Sequence, residues 1–237
     1  MDAIFAVGDI HGMHGQLSRV LRLIDADPDA GAPVVFLGDY VDRGAESRAV
    51  IETIARGQAE GRPWTALAGN HDLYFRDFLD PGGMEETEAR AWLSDNLGGR
   101  ATLASYGIET GGSIAGLRAA AAEAVPKAHR AWLARLPRVH ETAAQIFVHA
   151  GLRPGVPLEA QDPWELVTIR TPFLEDAREH GRLVVHGHTA TEGPVHRGNR
   201  VNLDGGAGFE RLLCAAVIHG RDVALLTEGG REPLLPG

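Results

Sequence analysis

Ile4-Phe5-Ala6-Val7-Gly8-Asp9-Ile10-His11-Gly12 is an apolar run that stops at glycine, then sets a carboxylate and an imidazole two positions apart. The same design returns along the chain. Val34 to Leu37 ends in Gly38-Asp39, and Ala66 to Ala68 ends in Gly69-Asn70-His71-Asp72. Ile146 to Val148 ends in His149-Ala150-Gly151, and Leu183 to Val185 ends in His186-Gly187-His188-Thr189. Short apolar runs that stop at glycine read as buried strands followed by tight turns.

Helices fit between these strands. Leu17, Val20, Leu21 and Ile24 repeat at helical spacing, and Val50, Ile51, Ile54 and Ala55 do so again before Gly57 and Gly61. Asp9 and Asp39 stand 30 positions apart, and Asp39 and Asn70 stand 31 apart, the length of a parallel β-α-β unit. Functional loops of parallel sheets collect at the carboxyl ends of the strands, so the polar clusters are expected along one sheet edge. Residues 73 to 144 lose the strand pattern. Trp92, Leu93 and Leu97 suit an amphipathic helix, Ala119 to Ala124 is a strong helix former, and Pro126 opens another helix toward Leu136. This stretch reads as a helical insert over the strand ends, within a single domain spanning residues 1–237. Strands are expected again at 145–150, 183–188, about 199–204, 211–218 and 222–227, forming a second sheet packed on the first. The tail from Arg231 to Gly237 is expected to fray.

Composition narrows the function. The 237 residues are 44% hydrophobic and 23% charged, enough to bury a core, and carry a formal net charge of -9. Such a balance argues against a nucleic-acid backbone or a polybasic membrane contact as partner. A single cysteine, Cys214, excludes a disulfide framework and a multi-thiolate zinc site, and, set in an apolar strand, it reads as core. The opening residues lack a basic stretch followed by a long apolar one, and no run approaches the ~18 apolar residues of a membrane span. A soluble, cytoplasmic protein is expected, and the length permits a monomer.

The polar clusters offer oxygen and imidazole donors without thiolate, a set suited to Mn²⁺, Fe or Zn²⁺. Asp39 lies between the other ligands in strand order and is the natural bridge for two metals ~3.5–4 Å apart. One Gly-Asp pair after a strand is usually only a turn. Five clusters, each at the same end of a strand and each flanked by glycine, point to a site.

Gly8-Asp9-Ile10-His11-Gly12, Gly38-Asp39-Tyr40-Val41-Asp42-Arg43-Gly44, Gly69-Asn70-His71-Asp72, His149-Ala150-Gly151 and Gly187-His188-Thr189 together resemble the signature of the calcineurin-like metallophosphoesterases. The Asp42-Arg43-Gly44 ending is similar to the phosphoprotein phosphatase branch, especially its bacterial and phage serine/threonine phosphatases. The resemblance implies an α/β fold, a two-sheet β-sandwich flanked by helices. It implies that Asp9 and His11 hold one metal, that Asp39 bridges, and that Asn70, His149 and His188 hold the other. The position two after His188 is Ala190, which fits that branch, and His186 is then not a ligand.

The chemistry expected is in-line attack on phosphorus by water activated between two divalent cations, Mn²⁺ first among them. His71 is the expected general acid, with Asp72 orienting its imidazole. Arg43 is placed to hold phosphate, and Asp42 to brace Arg43 or His71. The stretch Asp162 to Arg170 resembles the segment that carries a phosphate-binding arginine in bacterial members, which points to Arg170, with Arg153 in reserve. Asn202-Leu203-Asp204-Gly205-Gly206-Ala207 resembles a late Asp-Thr-Gly-Ala motif, but Gly205 stands for threonine. The expected substrate is a phosphomonoester, phosphoserine or phosphothreonine on protein, with a small phosphoester as the other option. The alternatives are a symmetrical dinucleoside polyphosphate hydrolase, whose members tend to lack Asp-Arg-Gly, and a scaffold without activity, which should have lost a ligand.

Overall fold

The computed structural model describes residues 2–237. Why the apolar runs are continuous is visible in the first strand, β1 (Ile4–Val7). Phe5 and Val7 face a helix-covered core, whereas Ile4 and Ala6 face a second core between two sheets. A strand buried on both faces has no polar position to alternate with. The same division holds in β2 (Val34–Phe36), where Val34 and Phe36 face the helices and Val35 faces the other sheet. The third strand, β3 (Trp64–Ala66), begins two residues earlier than its apolar run suggested. β1, β2 and β3 are parallel. The expected helices join them: α1 (His14–Asp25) buries Leu17, Val20 and Ile24, and α2 (Ser47–Ala59) buries Val50, Ile51 and Ile54.

The insert is helical, as α3 (Asn70–Leu79), α4 (Glu86–Trp92), α5 (Gly99–Ser105), α6 (Ile114–Ala124) and α7 (Lys127–Leu133). Leu97 falls in a loop rather than in the helix expected around Trp92. Trp92, Leu103, Leu117 and Trp132 share one core with α1, α2 and the outer face of the first sheet. The insert therefore extends the helical layer instead of lying wholly over the strand ends. The insert reaches the cavity described below through the first turns of α3, at Tyr74, and through its turn at Asn96 and Leu97. The insert stretch also ends in a strand that the pattern did not show, β4 (Val139–Glu141), a half-exposed edge strand with no apolar run to betray it.

The second sheet contains β4, β5 (Gln145–Val148), β6 (Leu183–His186), β8 (Arg200–Asn202) and β7 (Val195–His196), in that order. β5, β6 and β8 are parallel. The last strands depart from expectation. β9 (Ala215–His219), β10 (Asp222–Thr227) and β11 (Gly230–Pro233) return to the first sheet, whose order is β11-β10-β9-β1-β2-β3. β9 pairs antiparallel with β1, Ile4 opposite Ile218. Periodicity reports burial, and β9 is buried on both faces whichever sheet it joins. The tail does not fray either: β11 pairs with β10, and Arg231 spans Asp27 at 2.9 Å and Asp29 at 2.6 Å. Cys214 lies just before β9 and is half-buried, not a core strand residue. Among the described residues no helix is long and apolar enough to cross a membrane.

Candidate active site

Each parallel strand delivers its polar cluster to the same edge, where the two sheets meet. The turn after β1 brings Asp9 and His11, the turn after β2 brings Asp39, Asp42 and Arg43, and the first turn of α3 brings Asn70, His71 and Asp72. The second sheet adds His149 after β5, His188 after β6 and Asp204 after β8. His11, Asp39 and His71 form one group with donor atoms within 4.8 Å, and Asp39, His149 and His188 form another. Asp39 belongs to both. Its Oδ2 faces His11 Nε2 at 3.5 Å, and its Oδ1 faces His149 Nε2 at 3.5 Å. The two oxygens of one buried carboxylate thus serve two sides of the site.

The imidazoles are set up to accept. His11 Nδ1 donates to the Val41 carbonyl at 2.9 Å, and His149 Nδ1 donates to the Leu37 carbonyl at 2.8 Å. A donating Nδ1 leaves the Nε2 lone pair free for a cation. Burial pushes His11 down to about 3, against the pull of Asp39, and lowers His149 and His188 as well. Burial alone would raise Asp39, but His149, His71 and His11 outweigh it, and the carboxyl lies below its usual range.

A divalent cation fits this donor set. Asp9 Oδ1 and His188 Nε2 are buried without a hydrogen-bond partner among the described residues. Burial, and then the carboxylates of Asp204 and Asp39, push Asp9 well above the usual range, which is the signature of acids crowded without counter-charge. Asp9 Oδ2 accepts the His188 backbone N–H at 3.0 Å. A Cβ on Gly187 would stand 2.0 Å from Asp9 Oδ1, so glycine there admits the carboxylate. Asn70 Oδ1 is 3.2 Å from His149 Nε2.

The expected His71–Asp72 pair is not formed. Asp72 accepts backbone N–H groups from Asp39 at 2.8 Å, Tyr40 at 2.9 Å and Gly69 at 2.8 Å, so both its oxygens are spent holding the Asp39 turn. As the third residue of α3 it reaches back over the helix N-terminus, away from its neighbour's ring. His71 Nδ1 instead meets Asp42 Oδ2 at 2.7 Å. Asp42 is fully buried, and the insert holds it: Trp92 Nε1 donates to Oδ2 at 2.8 Å and Thr102 Oγ1 donates to Oδ1 at 2.6 Å. Burial opposes protonation of His71, but Asp39 and Asp42 outweigh it and its pKa is raised.

Arg43 Nη1 donates to His11 Nε2 at 2.5 Å, and Nη2 is 3.4 Å from His71 Nε2. Arg170 is exposed, lines the same cavity of about 580 Å³, and has no ion-pair partner among the described residues. Arg153 is not brought in, because Glu165 engages it at 2.6 Å on the surface. His186 is buried against Phe173, ring centroids 5.1 Å apart, and does not line the cavity. Asp204 does line it. Tyr74 and Phe209 also line it and carry no motif that singles them out in the sequence, and Trp164 joins them from the Asp162 to Arg170 stretch, which the sequence marks for its arginine alone.

The backbone is strained here. Six described non-glycine residues have positive φ, and five are His11, Asp39, Asp42, Arg43 and His188, with φ from 47° to 74°. Left-handed conformations in residues with a Cβ persist where the surroundings enforce them, and they cluster at functional sites.

Comparison with known proteins agrees with this geometry. The family model of the calcineurin-like phosphoesterases matches residues 3–192. A symmetrical bis(5'-nucleosyl)-tetraphosphatase of Methylococcus capsulatus is 30% identical over 154 residues, covering 65% of this chain and 44% of that protein. A protein of the same name from Paracidovorax citrulli is 42% identical over 72 residues, 30% of this chain and 24% of its own length. The match thus spans less than half the length of these curated relatives. A crystal structure provisionally described as a diadenosine tetraphosphatase has a TM-score of 0.68 at 21% identity, covering 100% of this chain and 95% of that one. A cold-active protein-tyrosine phosphatase from a psychrophilic Shewanella has a TM-score of 0.64 at 14% identity, covering 99% and 81%. At these identities the likeness is one of fold.

Proposed function

Because the chain belongs to the calcineurin-like phosphoesterase family, we propose that it is a metal-dependent hydrolase whose substrate is a dinucleoside polyphosphate. The observation that carries the chemistry is the divided Asp39 carboxylate, facing His11 on one side and His149 on the other. Asp9, His11 and Asp39 would hold one cation, and Asp39, Asn70, His149 and His188 the second. Two divalent cations, Mn²⁺ or else Fe or Zn²⁺, would supply Lewis acidity and an activated water.

The chain's own residues do the rest. Arg43 and Arg170 bind the phosphate oxygens, the guanidinium fork suiting two of them at once. His11 Nε2 cannot serve Arg43 and a metal together, so Arg43 would be released toward the substrate where His11 holds a cation. His71 carries a proton on Nε2 to the leaving oxygen, while Asp42 holds Nδ1–H and keeps the ring cationic until transfer. Water attacks phosphorus, the bond to the leaving oxygen breaks, and that oxygen takes the proton if it needs one.

The sequence placed phosphopeptides first and dinucleoside polyphosphates second. The names of the curated relatives support the reverse order. The test is a panel of diadenosine tetraphosphate, phosphoserine, phosphothreonine and phosphotyrosine peptides, and an aryl phosphate, with Mn²⁺ present. The reading expects the highest kcat/KM on the dinucleotide, with two nucleoside diphosphates as products. A higher kcat/KM on any phosphopeptide would restore the phosphoprotein reading.

A further inference from the structure

Two further cavities flank the catalytic one. A cavity of about 370 Å³ shares Tyr74, Leu97 and Trp164 with it, and another of about 400 Å³ shares Arg43, Asn96 and Phe209. Each shared wall carries an exposed aromatic ring. Trp164 is 45% exposed and Phe209 53% exposed, and they are the two of four exposed large hydrophobic side chains, among the described residues, that line the catalytic cavity.

Both rings stand on fixed backbone. The Trp164 carbonyl accepts from Val167 N at 3.1 Å and from Thr168 Oγ1 at 2.8 Å, and its N–H donates to Asp162 Oδ1 at 2.7 Å. Its ring meets Tyr74 edge-on, centroids 5.9 Å apart. Phe209 lies beneath Arg43, whose guanidinium carbon is 4.6 Å from the ring centroid. Gly208 lets that turn press on the site, since a Cβ there would stand 2.7 Å from His11 Cδ2.

Charge sets the space beyond Trp164 apart from the other two, since the space beyond Phe209 is lined by Arg43, Arg100 and Asp95. The cavity beyond Trp164 is lined by Asp77 and Glu88 and by no arginine or lysine, so it does not draw phosphate. Arg43 and Arg170 line the central space. Exposed aromatic faces beside a phosphate-binding centre suit planar, uncharged rings, which stack without regard to their hydrogen-bonding pattern.

We propose that Trp164 and Phe209 are the specificity-determining walls of the site, each stacking one aromatic ring of a substrate whose phosphates lie between them. The proposal rests on the dinucleoside polyphosphate reading above, and deepens it by assigning one base to each side.

The test uses the Mn²⁺-loaded protein, the variants Trp164→Ala and Phe209→Ala, and the conservative pair Trp164→Phe and Phe209→Tyr. Circular dichroism melting establishes that each is folded. Two preferences are measured as kcat/KM ratios: diadenosine tetraphosphate over inorganic tripolyphosphate, and p-nitrophenyl phosphate over glycerol 2-phosphate. Each alanine variant is expected to lower the first ratio about tenfold, mainly through KM, and the conservative variants to keep it. If the protein does not turn over the dinucleotide, the substrate reading fails by itself. The second ratio then decides this proposal, which expects an alanine variant to lower it by a similar factor. Ratios unchanged in both alanine variants would overturn it.

Discussion

Asp42 Oδ2 lies 2.7 Å from His71 Nδ1, although the residues are 29 positions apart. This contact, not the adjacent Asp72, orients the imidazole. Asp42→Asn, like His71→Asn, is therefore expected to cut hydrolysis of an alkyl phosphate about a hundredfold. Loss should be below about tenfold on an anhydride or aryl phosphate, whose leaving oxygen departs without a proton. Asp72→Ala behaves differently. It leaves three buried N–H groups without their acceptor and is expected to cost at least about 2 kcal/mol of stability in urea unfolding. Equal losses on alkyl and aryl substrates would remove His71 from the role of acid.

Metal stoichiometry checks the bridging carboxylate. Elemental analysis should find two divalent ions per wild-type chain, about one after His11→Ala or His188→Ala, and none after Asp39→Ala. Chelation should abolish hydrolysis, and added Mn²⁺ should restore it. Full activity after exhaustive chelation would contradict the donor set described for Asp39, His149 and His188.

The arginines separate by partner. Arg170 makes no ion pair among the described residues and lines the cavity, so Arg170→Ala should raise KM about tenfold for any phosphate substrate. Arg153 is engaged by Glu165 on the surface, and Arg153→Ala should stay within about twofold of wild type. Steady-state kinetics on both variants reads the difference.

The C-terminal strand carries a pH dependence. The hydrogen bond from Arg231 holds Asp27 below its usual carboxylate range, although burial opposes this. A depressed folded pKa contributes stability that is fully present above the unfolded value, ~3.9, and is lost as pH falls through the folded value. Amide exchange in residues 230–232 should therefore stay protected from pH 8 down to about 5 and open below pH ~4. Arg231→Ala should remove that acid step, and an acid step unchanged in the variant would refute the assignment.

Much of the centre could be read from the chain. Strands buried on both faces give unbroken apolar runs, and glycine marks where each stops, so Asp9, Asp39, Asn70, His149 and His188 stand out as a set. Three things escaped for physical reasons. β4 lies half-exposed at an edge and carries no apolar run. β9 is buried on both faces in either sheet, so its membership is decided by pairing with β1, which periodicity does not report. The partner of His71 is legible only in part: adjacency favours Asp72 and leaves Asp42 a brace for either Arg43 or His71, whereas Trp92 and Thr102 fix Asp42 beside the ring through packing across the insert.

The left-handed backbone at His11, Asp39, Asp42, Arg43 and His188 has an evolutionary consequence. Each such residue costs on the order of 1–3 kcal/mol, in a protein whose whole margin is of order 5–15 kcal/mol. Glycine would relax these positions, at the expense of the chemistry. Selection for heat resistance alone would then fix its first substitutions inside the active centre, and the hardiest descendants would be the inert ones.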